Sequence, residues 1–254
     1  MSAEFDTIAG WTAQVALELS PDHRLPAGCR GSGNPNGLRW LLEACQVGPD
    51  TRLVDVGAGV GGPAGFAREH AGTRPLLVAP EQHACRAARS LFELPVVQAS
   101  ATDLPLPTGR FDVAWCLGVL CTAPDDAAQL AMLTELRRVV RPAGLIGLLV
   151  FVAQVDPARD ELDDPPAGNH FPTADGLGRL LDRAGLTVVD RTPASELPEP
   201  PADWTERTEA VEDALRQRYG DREAYQVAEE QSGRIGRLLA TGQLTAELLL
   251  VRAG

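Results

Sequence analysis

The sequence contains no lysine, because all 23 of its basic residues are arginine. This absence argues against chemistry that needs a lysine amine, such as the tyrosine–lysine pair of many nicotinamide-dependent oxidoreductases. No single site demands arginine throughout a chain. The bias therefore indicates a GC-rich coding sequence and a bacterial source.

Cysteine pairs and long apolar runs are also missing. The five cysteines form an odd number without a CxxC spacing, which predicts reduced thiols, no disulfide framework and no metal site. No stretch approaches the ~20 apolar residues of a membrane-spanning helix. The first residues, MSAEFDTIAG, lack the basic and apolar regions of a signal peptide. We therefore expect a cytoplasmic protein.

Positive charge is scarce as well. The formal net charge is −12, so a nucleic-acid backbone or an anionic membrane surface is repelled. The expected partner is a small molecule rather than nucleic acid or a membrane.

Helical and strand patterns alternate along the middle of the chain, which predicts a parallel sheet with crossover helices. We expect a single domain over residues 1–254. Its parts are N-terminal helices and a flap (1–45), an α/β core (46–192), a helical insertion (193–243) and a last strand (244–254). A loop rich in Gly, Pro and Asn from Pro21 to Gly37 predicts that the flap is mobile.

The densest signal is VDVGAGVGG at residues 54–62, a strand end followed by glycines that open a helix. Glycines let the backbone turn tightly and approach a bound molecule closely. Gly57, Gly59 and Gly62 also satisfy GxGxxG, which on its own is a weak motif shared with dinucleotide-binding enzymes.

VDVGAGVGG resembles the first motif of the class I S-adenosylmethionine-dependent methyltransferases, with Asp55 at the family's acidic position. Residues 104–120, LPLPTGRFDVAWCLGVL, are similar to the stretch that leads into the family's fourth strand, and RPAG at 141–144 resembles its turn before strand five. The resemblance implies S-adenosylmethionine as cofactor. It also implies an α/β fold with a Rossmann-like, mostly parallel seven-stranded sheet, helices on both faces and a helical lid.

The resemblance also implies where the cofactor lies. Its methionine part is expected over the glycine loop, and the backbone after strand four is expected to close the other side. The residues concerned are Asp55, Gly57, Ala58, Gly59, Cys116 and Leu117.

The chain departs from the family pattern after strands two and three. The family's ribose-binding acid is replaced by Ala79; Glu81 two residues later could reach back, or a one-residue bulge could restore the acid. The acid that accepts the adenine amino group is replaced by Ser100, which accepts a single hydrogen bond. The cofactor-binding positions expected here are Ala79, Pro80, Glu81, Ser100, Ala101 and Thr102.

Two further residues are candidates for the site. His170 follows strand five, at the sheet edge where open α/β sheets bind ligands, and is the candidate general base; alternatively it only orders its loop. Arg30 and the neighbouring Ser32 are candidates for the cofactor carboxylate, which an arginine fork matches. A solvated loop arginine is the alternative.

These features predict methyl transfer to an O, N or C atom of a small apolar metabolite, such as one of secondary metabolism. The residues after strand four lack the polar Pro-Pro-aromatic motif of enzymes that methylate base amines. Ala79 and Ser100 favour an alternative in which the fold serves a cyclisation, an elimination or ligand binding. A nicotinamide-dependent oxidoreductase is disfavoured, because the chain lacks lysine and has Ala79 where an acid at the end of strand two would bind the ribose.

Overall fold

The computed structural model describes residues 3–31, 34–154 and 162–254. These ranges contain seven strands, nine α-helices and three short 3₁₀ turns. The strands are β1 Leu53–Val56, β2 Leu76–Ala79, β3 Val96–Gln98, β4 Phe111–Leu117, β5 Val140–Ala153, β6 Leu186–Pro193 and β7 Leu244–Ala253. The helices are α1 Ala3–Leu19, α2 Arg24–Gly28, α3 Pro35–Ala44, α4 Gly62–Ala71, α5 Gln82–Phe92, α6 Asp126–Val139, α7 Ala174–Arg183, α8 Ala202–Tyr219 and α9 Glu223–Ala240.

The seven strands form one sheet in the order β3-β2-β1-β4-β5-β7-β6. Strands β1 to β5 pair in parallel, whereas β7 lies antiparallel to both of its neighbours. The predicted mostly parallel, seven-stranded sheet is thus confirmed. The chain order reverses between β1 and β4, so a crevice opens at the carboxyl ends of these strands, where open α/β sheets bind ligands.

Helices cover both faces of the sheet with apolar side chains. On one face, α6 and α7 contribute Leu133 and Leu180 to the core. On the other, α3 and α4 pack Leu41 and Phe66 in the same cluster as the fully buried Trp115 of β4. Because β5 is covered from both sides, its sequence is apolar almost throughout, as expected of a central strand.

The described residues of the segment 21–37, which was predicted as a loop, are largely helical, so the prediction of a loop was wrong. Its mobility stays a prediction. Residues 21–23 form a 3₁₀ turn, α2 follows, and α3 begins at Pro35. Pro26 lies in the first turn of α2, where a missing N–H breaks no helical hydrogen bond. Pro26, Ala27 and Gly28 are buried. Since a five-residue helix is not stable by propensity, tertiary packing holds α2 in place.

Strand β5 begins earlier than predicted. The sequence suggests a turn at 141–144 and a strand from Leu145, but pairing with β4 already starts at Val140. The register shifts between these two residues, and Ala143 has a positive φ of 57°. The predicted turn is therefore retained as a bulge inside the strand.

The helical lid, α8 and α9, packs against the N-terminal helix. The rings of Trp11 and Tyr219 stack with centroids 4.2 Å apart and planes inclined by 4°. The Tyr219 hydroxyl donates to Gln14 Oε1 at 3.0 Å, and Arg218 forms an ion pair with Glu18 at 2.6 Å. Helices from the two ends of the chain thus form one cover beside the sheet.

The stacked pair provides a test of this cover. Replacing Trp11 and Tyr219 by leucine, singly and together, should reveal a coupling of about 0.5–1.5 kcal/mol in the free energy of unfolding, measured by urea titration. Tyr219→Phe is the matched control, because it keeps the stack and loses only the hydroxyl. Additive effects of the two leucine substitutions would show that the rings contribute no specific contact.

Candidate functional site

The glycine loop follows β1 at the carboxyl edge of the sheet. Gly57 and Gly59 have φ values of 78° and 54°, a conformation that favours glycine. The amides of Gly57 and Ala58 both donate to the Val78 carbonyl, at 2.8 and 2.9 Å. A Cβ at Gly57 would lie 2.3 Å from a methyl group of Val119, whereas one at Gly59 would meet only Phe5, at 3.7 Å. The loop is thus packed at Gly57 and more open at Gly59.

Asp55, the acid before this loop, is 1% exposed. Its carboxylate accepts a hydrogen bond from the Ala64 amide, but Oδ2 has no hydrogen-bond partner among the described residues. Burial raises the pKa of Asp55 to about 7. A buried carboxylate oxygen without a partner is costly, and a cationic group bound there would relieve that cost. The site therefore fits the ammonium group of an amino-acid ligand.

A short segment of four residues, here called the strap (residues 28–31), lies over this edge. A Cβ at Gly62 would lie 2.1 Å from the carbonyl carbon of Gly28, so the backbones of the strap and the glycine loop touch. Burial, and to a lesser degree the negative charge of Asp55, raises the pKa of the Cys29 thiol, which is consistent with the two groups being near each other. A Cβ at Gly118, just beyond β4, would lie 3.0 Å from the Gly31 carbonyl oxygen. The strap thus spans the ends of β1 and β4.

Arg30, the remaining strap residue, is directed toward the lid. Its guanidinium lies 3.9 Å from Glu212 and 3.8 Å from Glu229, and it donates to Thr12 Oγ1 at 3.4 Å. These contacts join the strap to α1, α8 and α9. The role of Arg30 toward a cofactor carboxylate stays a prediction, and Ser32 lies outside the described residues.

After β2, Glu81 is the carboxylate nearest in the chain to Ala79, where the family pattern has an acid. Ala79 is buried and its carbonyl accepts from the Ala99 amide at 3.1 Å, while the Pro80 carbonyl accepts from Gln98. Glu81 follows in extended conformation as the N-cap residue of α5. Burial, and to a lesser degree the nearby Asp6, raises the pKa of Glu81. No arginine of the described residues forms an ion pair with it.

The loop after β3 presents hydroxyl groups instead of a carboxylate. Ser100 Oγ and Thr102 Oγ1 lie 2.8 Å apart, and the Thr102 amide donates to Ser100 Oγ at 3.2 Å. Ser100 is exposed and Ala101 is buried between them. The hydroxyls therefore form a local turn at the sheet edge, and their contact with adenine stays a prediction.

Cys116 and Leu117, at the end of β4, are both buried. Burial raises the pKa of the Cys116 thiol to about 12 and that of Cys121 to about 11. Thiols with such pKa values remain protonated near neutral pH, which makes them poor nucleophiles. At this edge, these residues supply backbone and packing.

His170 is fixed by three hydrogen bonds at the far end of the same edge. Its Nε2 lies 2.8 Å from Asp126 Oδ1, its amide donates to the Cys121 carbonyl at 2.9 Å, and its own carbonyl accepts from Gln129 at 2.8 Å. The side chain is 39% exposed. These contacts order the loop against α6. A catalytic role for His170 stays a prediction.

Local sequence patterns did not predict the strap. Its glycines lie outside any motif, and the partners of Gly28 and Arg30 are 18 to about 200 residues away in the chain. Proline and glycine around residues 26–31 suggested a loop, although Gly28 is needed for close backbone contact.

Comparison with known proteins agrees with this geometry. Residues 54–148 match the family model of a methyltransferase domain. A malonyl-[acyl-carrier protein] O-methyltransferase of Enterobacter lignolyticus is 29% identical over 136 residues, which are 51% of this chain and 52% of the relative. A 2-methyl-6-phytyl-1,4-hydroquinone methyltransferase of Synechocystis is 27% identical over 173 residues, 62% of this chain and 50% of the relative. The matches thus span about half the length of these relatives.

Solved structures share the fold at low sequence identity. The cyclopropane synthase MmaA2 from Mycobacterium tuberculosis superposes with a TM-score of 0.70 at 12% identity, over 95% of this chain and 97% of its own. The [4+2]-cyclase SpnF gives a TM-score of 0.61 at 21% identity, over 85% of this chain and 78% of its own.

Within residues 3–31, 34–154 and 162–254, every helix is too short or too polar to span a membrane.

The pH dependence of stability should report the buried carboxylate. The pKa of Asp55 is raised from 3.8 to about 7 in the folded protein, so its stabilising contribution is complete only below pH 3.8 and is lost as the pH rises through 7. Asp55→Asn removes this loss. The unfolding free energy of Asp55→Asn minus that of the wild type should therefore increase by about 2–3 kcal/mol from pH 5 to pH 8.

Urea unfolding at pH 5, 6, 7 and 8 checks this expectation. Asp50→Asn, at an exposed carboxylate before β1, is the control and should show no such trend. A difference between Asp55→Asn and wild type that stays constant with pH would contradict the raised pKa.

Residues 54–148 thus match a methyltransferase domain, and the described chain has the Rossmann-like fold of the solved structures; in both respects it resembles the class I S-adenosylmethionine-dependent methyltransferases.

Proposed function

We propose that this protein transfers a methyl group from S-adenosylmethionine to an O, N or C atom of a small apolar acceptor. The observation that carries the proposal is the buried Asp55 carboxylate beside the glycine loop, one oxygen of which has no hydrogen-bond partner among the described residues. A cofactor that brings an ammonium group to this point supplies the missing partner. The glycine loop fits the same ligand, since Gly59 leaves its backbone accessible.

Each part of the edge has a task in this proposal. Asp55 and the loop at Gly57 to Gly59 hold the amino-acid part of the cofactor, and Glu81 binds the ribose hydroxyls. The hydroxyls of Ser100 and Thr102 lie where the adenine is expected. The strap covers the edge and keeps water from it.

The reaction needs alignment more than acid–base chemistry. S-adenosylmethionine supplies an electrophilic methyl group on a positively charged sulfur, which leaves with the bonding electron pair as a neutral thioether. The chain positions the acceptor in line with that bond, and proximity of this kind contributes several kcal/mol to lowering a barrier. A base is required only for an acceptor that must lose a proton. His170 is the candidate for that step.

The acceptor is proposed to be small and apolar. The net charge of −12 disfavours nucleic acid, and the buried residues at the end of β4 offer no side-chain acceptor for a base amine. One relative is named for a hydroquinone that carries a phytyl chain, which is an apolar substrate. We therefore place the acceptor among uncharged metabolites with substantial apolar surface.

A second candidate keeps the fold and the ligand site but not the methyl transfer. Ala79 and Ser100, in place of two family carboxylates, are the observations that favour it. In that case the pocket serves a cyclisation, an elimination or the binding of a small ligand. The two functions differ in whether S-adenosylmethionine is consumed.

Isothermal titration with S-adenosylmethionine and S-adenosylhomocysteine tests the cofactor site. Wild type and Asp50→Asn should bind both ligands, whereas Asp55→Asn should lose about 10–100-fold in affinity because a charge-assisted hydrogen bond is removed. Asp55→Asn is expected to be the more stable protein at pH 8, so the loss cannot come from unfolding. Failure of the wild type to bind either ligand would overturn the proposal, and binding without turnover in an acceptor screen would favour the second candidate.

The role of Glu81 is tested with a ligand that has no amino-acid part. Glu81→Gln should weaken 5′-methylthioadenosine binding by about 10–100-fold, because a carboxylate that accepts two ribose hydroxyls is replaced by an amide. Asp55→Asn should leave this ligand's affinity unchanged. Glu93→Gln, at the exposed other end of α5, is the matched control. Equal affinities for Glu81→Gln and wild type would assign ribose recognition elsewhere.

A further inference from the structure

A partly open cavity of about 190 Å³ lies between α3 and the sheet, near the carboxyl end of β5. Two residue pairs, each joining β5 to β7, form its floor. Leu149 lies opposite Leu248, and Phe151 lies opposite Ala246. Directly opposed side chains in a sheet project from the same face. Ala246 is the smallest of the four, so the floor is hollow at that point.

The walls are held close to this floor. A Cβ on Gly37, in the first turn of α3, would lie 3.3 Å from a methyl group of Leu248 and 3.5 Å from one of Leu197. Leu197 belongs to the segment after β6. Asn36 fastens that segment by donating to the carbonyls of Pro198 and Glu199, both at 3.0 Å. The cavity therefore has a wall fixed by hydrogen bonds.

The cavity is continuous with the proposed cofactor edge. Gly118, which follows β4, donates its amide to the Leu149 carbonyl at 2.9 Å. A Cβ at Gly118 would lie 3.0 Å from the Gly31 oxygen and 3.8 Å from the Phe151 ring. Gly31, Leu149 and Phe151 all line the cavity. It thus begins where β4 ends, at the sheet edge that the cofactor is proposed to occupy.

The chemistry of the lining selects an uncharged occupant. Among the described lining residues, Asn34 carries the polar side chain, and its Oδ1 already accepts from the amides of Asn36 and Gly37 as the cap of α3. None of these described residues is charged. A dry apolar cavity of ~150 Å³ in another protein accommodates benzene. The space here therefore suits one six-membered ring or a branched hydrocarbon of similar size.

We propose that this cavity binds the apolar end of the methyl acceptor, and that this end is a single uncharged ring or a short branched hydrocarbon. The inference rests on the proposed function, because it names the acceptor class for the same active edge. Ala246 and Leu197 set the size limit: one leaves the hollow in the floor and the other forms the wall.

Toluene is a suitable probe, because its binding needs neither cofactor nor turnover. Saturation-transfer NMR titration of the full chain should show saturable toluene binding to wild type. Ala246→Leu should weaken it by at least about tenfold, because the added carbons occupy the space of the ring. Val188→Leu is the matched control. It adds one methylene at an exposed position of the neighbouring edge strand, β6, and should bind toluene as the wild type does.

Leu197→Ala provides a second variant if Ala246→Leu does not fold. Shortening the wall should raise the affinity for naphthalene, a two-ring probe, relative to toluene. Absence of saturable toluene binding to wild type, or equal toluene affinity in folded Ala246→Leu, would overturn the inference.

S-adenosylhomocysteine titration of the same samples separates the two proposals. Binding of S-adenosylhomocysteine without toluene would leave the proposed function standing and refute the acceptor site. Binding of toluene without S-adenosylhomocysteine would refute the proposed function and, with it, the assignment of the cavity to a methyl acceptor.

Discussion

The backbone contact between Gly28 and Gly62 is the constraint on which the arrangement of the site depends. Any side chain at Gly62 would overlap the main chain of the strap, so the two segments meet only because both residues are glycine. This contact fixes the register of the next three residues. Cys29 then lies near Asp55, Arg30 reaches the acids of the lid, and Gly31 lies over the end of β4. One close approach thus links the N-terminal helices, the sheet and the lid.

The strap also explains why the charged form of Asp55 is energetically unfavourable in the protein without a ligand. Burial by the strap and the surrounding core removes water from Asp55, and its second oxygen receives no donor from the part of the chain that the structure describes. A structure optimised for stability alone would place a neutral group there. In the proposed function, this carboxylate is a binding group whose cost is offset when a cation binds. Stability and ligand affinity are therefore opposed at this one residue.

The sequence predicted the sheet well because its strands and helices carry strong local patterns. The alternation of apolar runs, the glycine turn after Val56 and the cap at Thr173 each depend on neighbouring residues, and Thr173 does accept from the Gly176 amide. The helix α2 could not be predicted in this way, because its five residues are held by contacts far away in the chain. The cavity escaped prediction for a similar reason, since its floor joins β5 to a strand about 100 residues later.

In the proposed function, the turn between β2 and α5 supplies the carboxylate that is missing at Ala79. Asp6 of α1 acts as a cap for α5, with Oδ1 accepting from the amides of His83 and Ala84 at 2.6 and 3.2 Å. Its other oxygen lies 2.7 Å from His83 Nδ1. Both oxygens of Asp6 are thereby engaged in holding the N-terminal helix over the turn. Glu81, half-buried and without an ion pair to an arginine of the described residues, is the carboxylate that remains available to a ligand. Its raised pKa follows from that position, and a ribose that donates two hydroxyls would compensate for both the burial and the neighbouring negative charge.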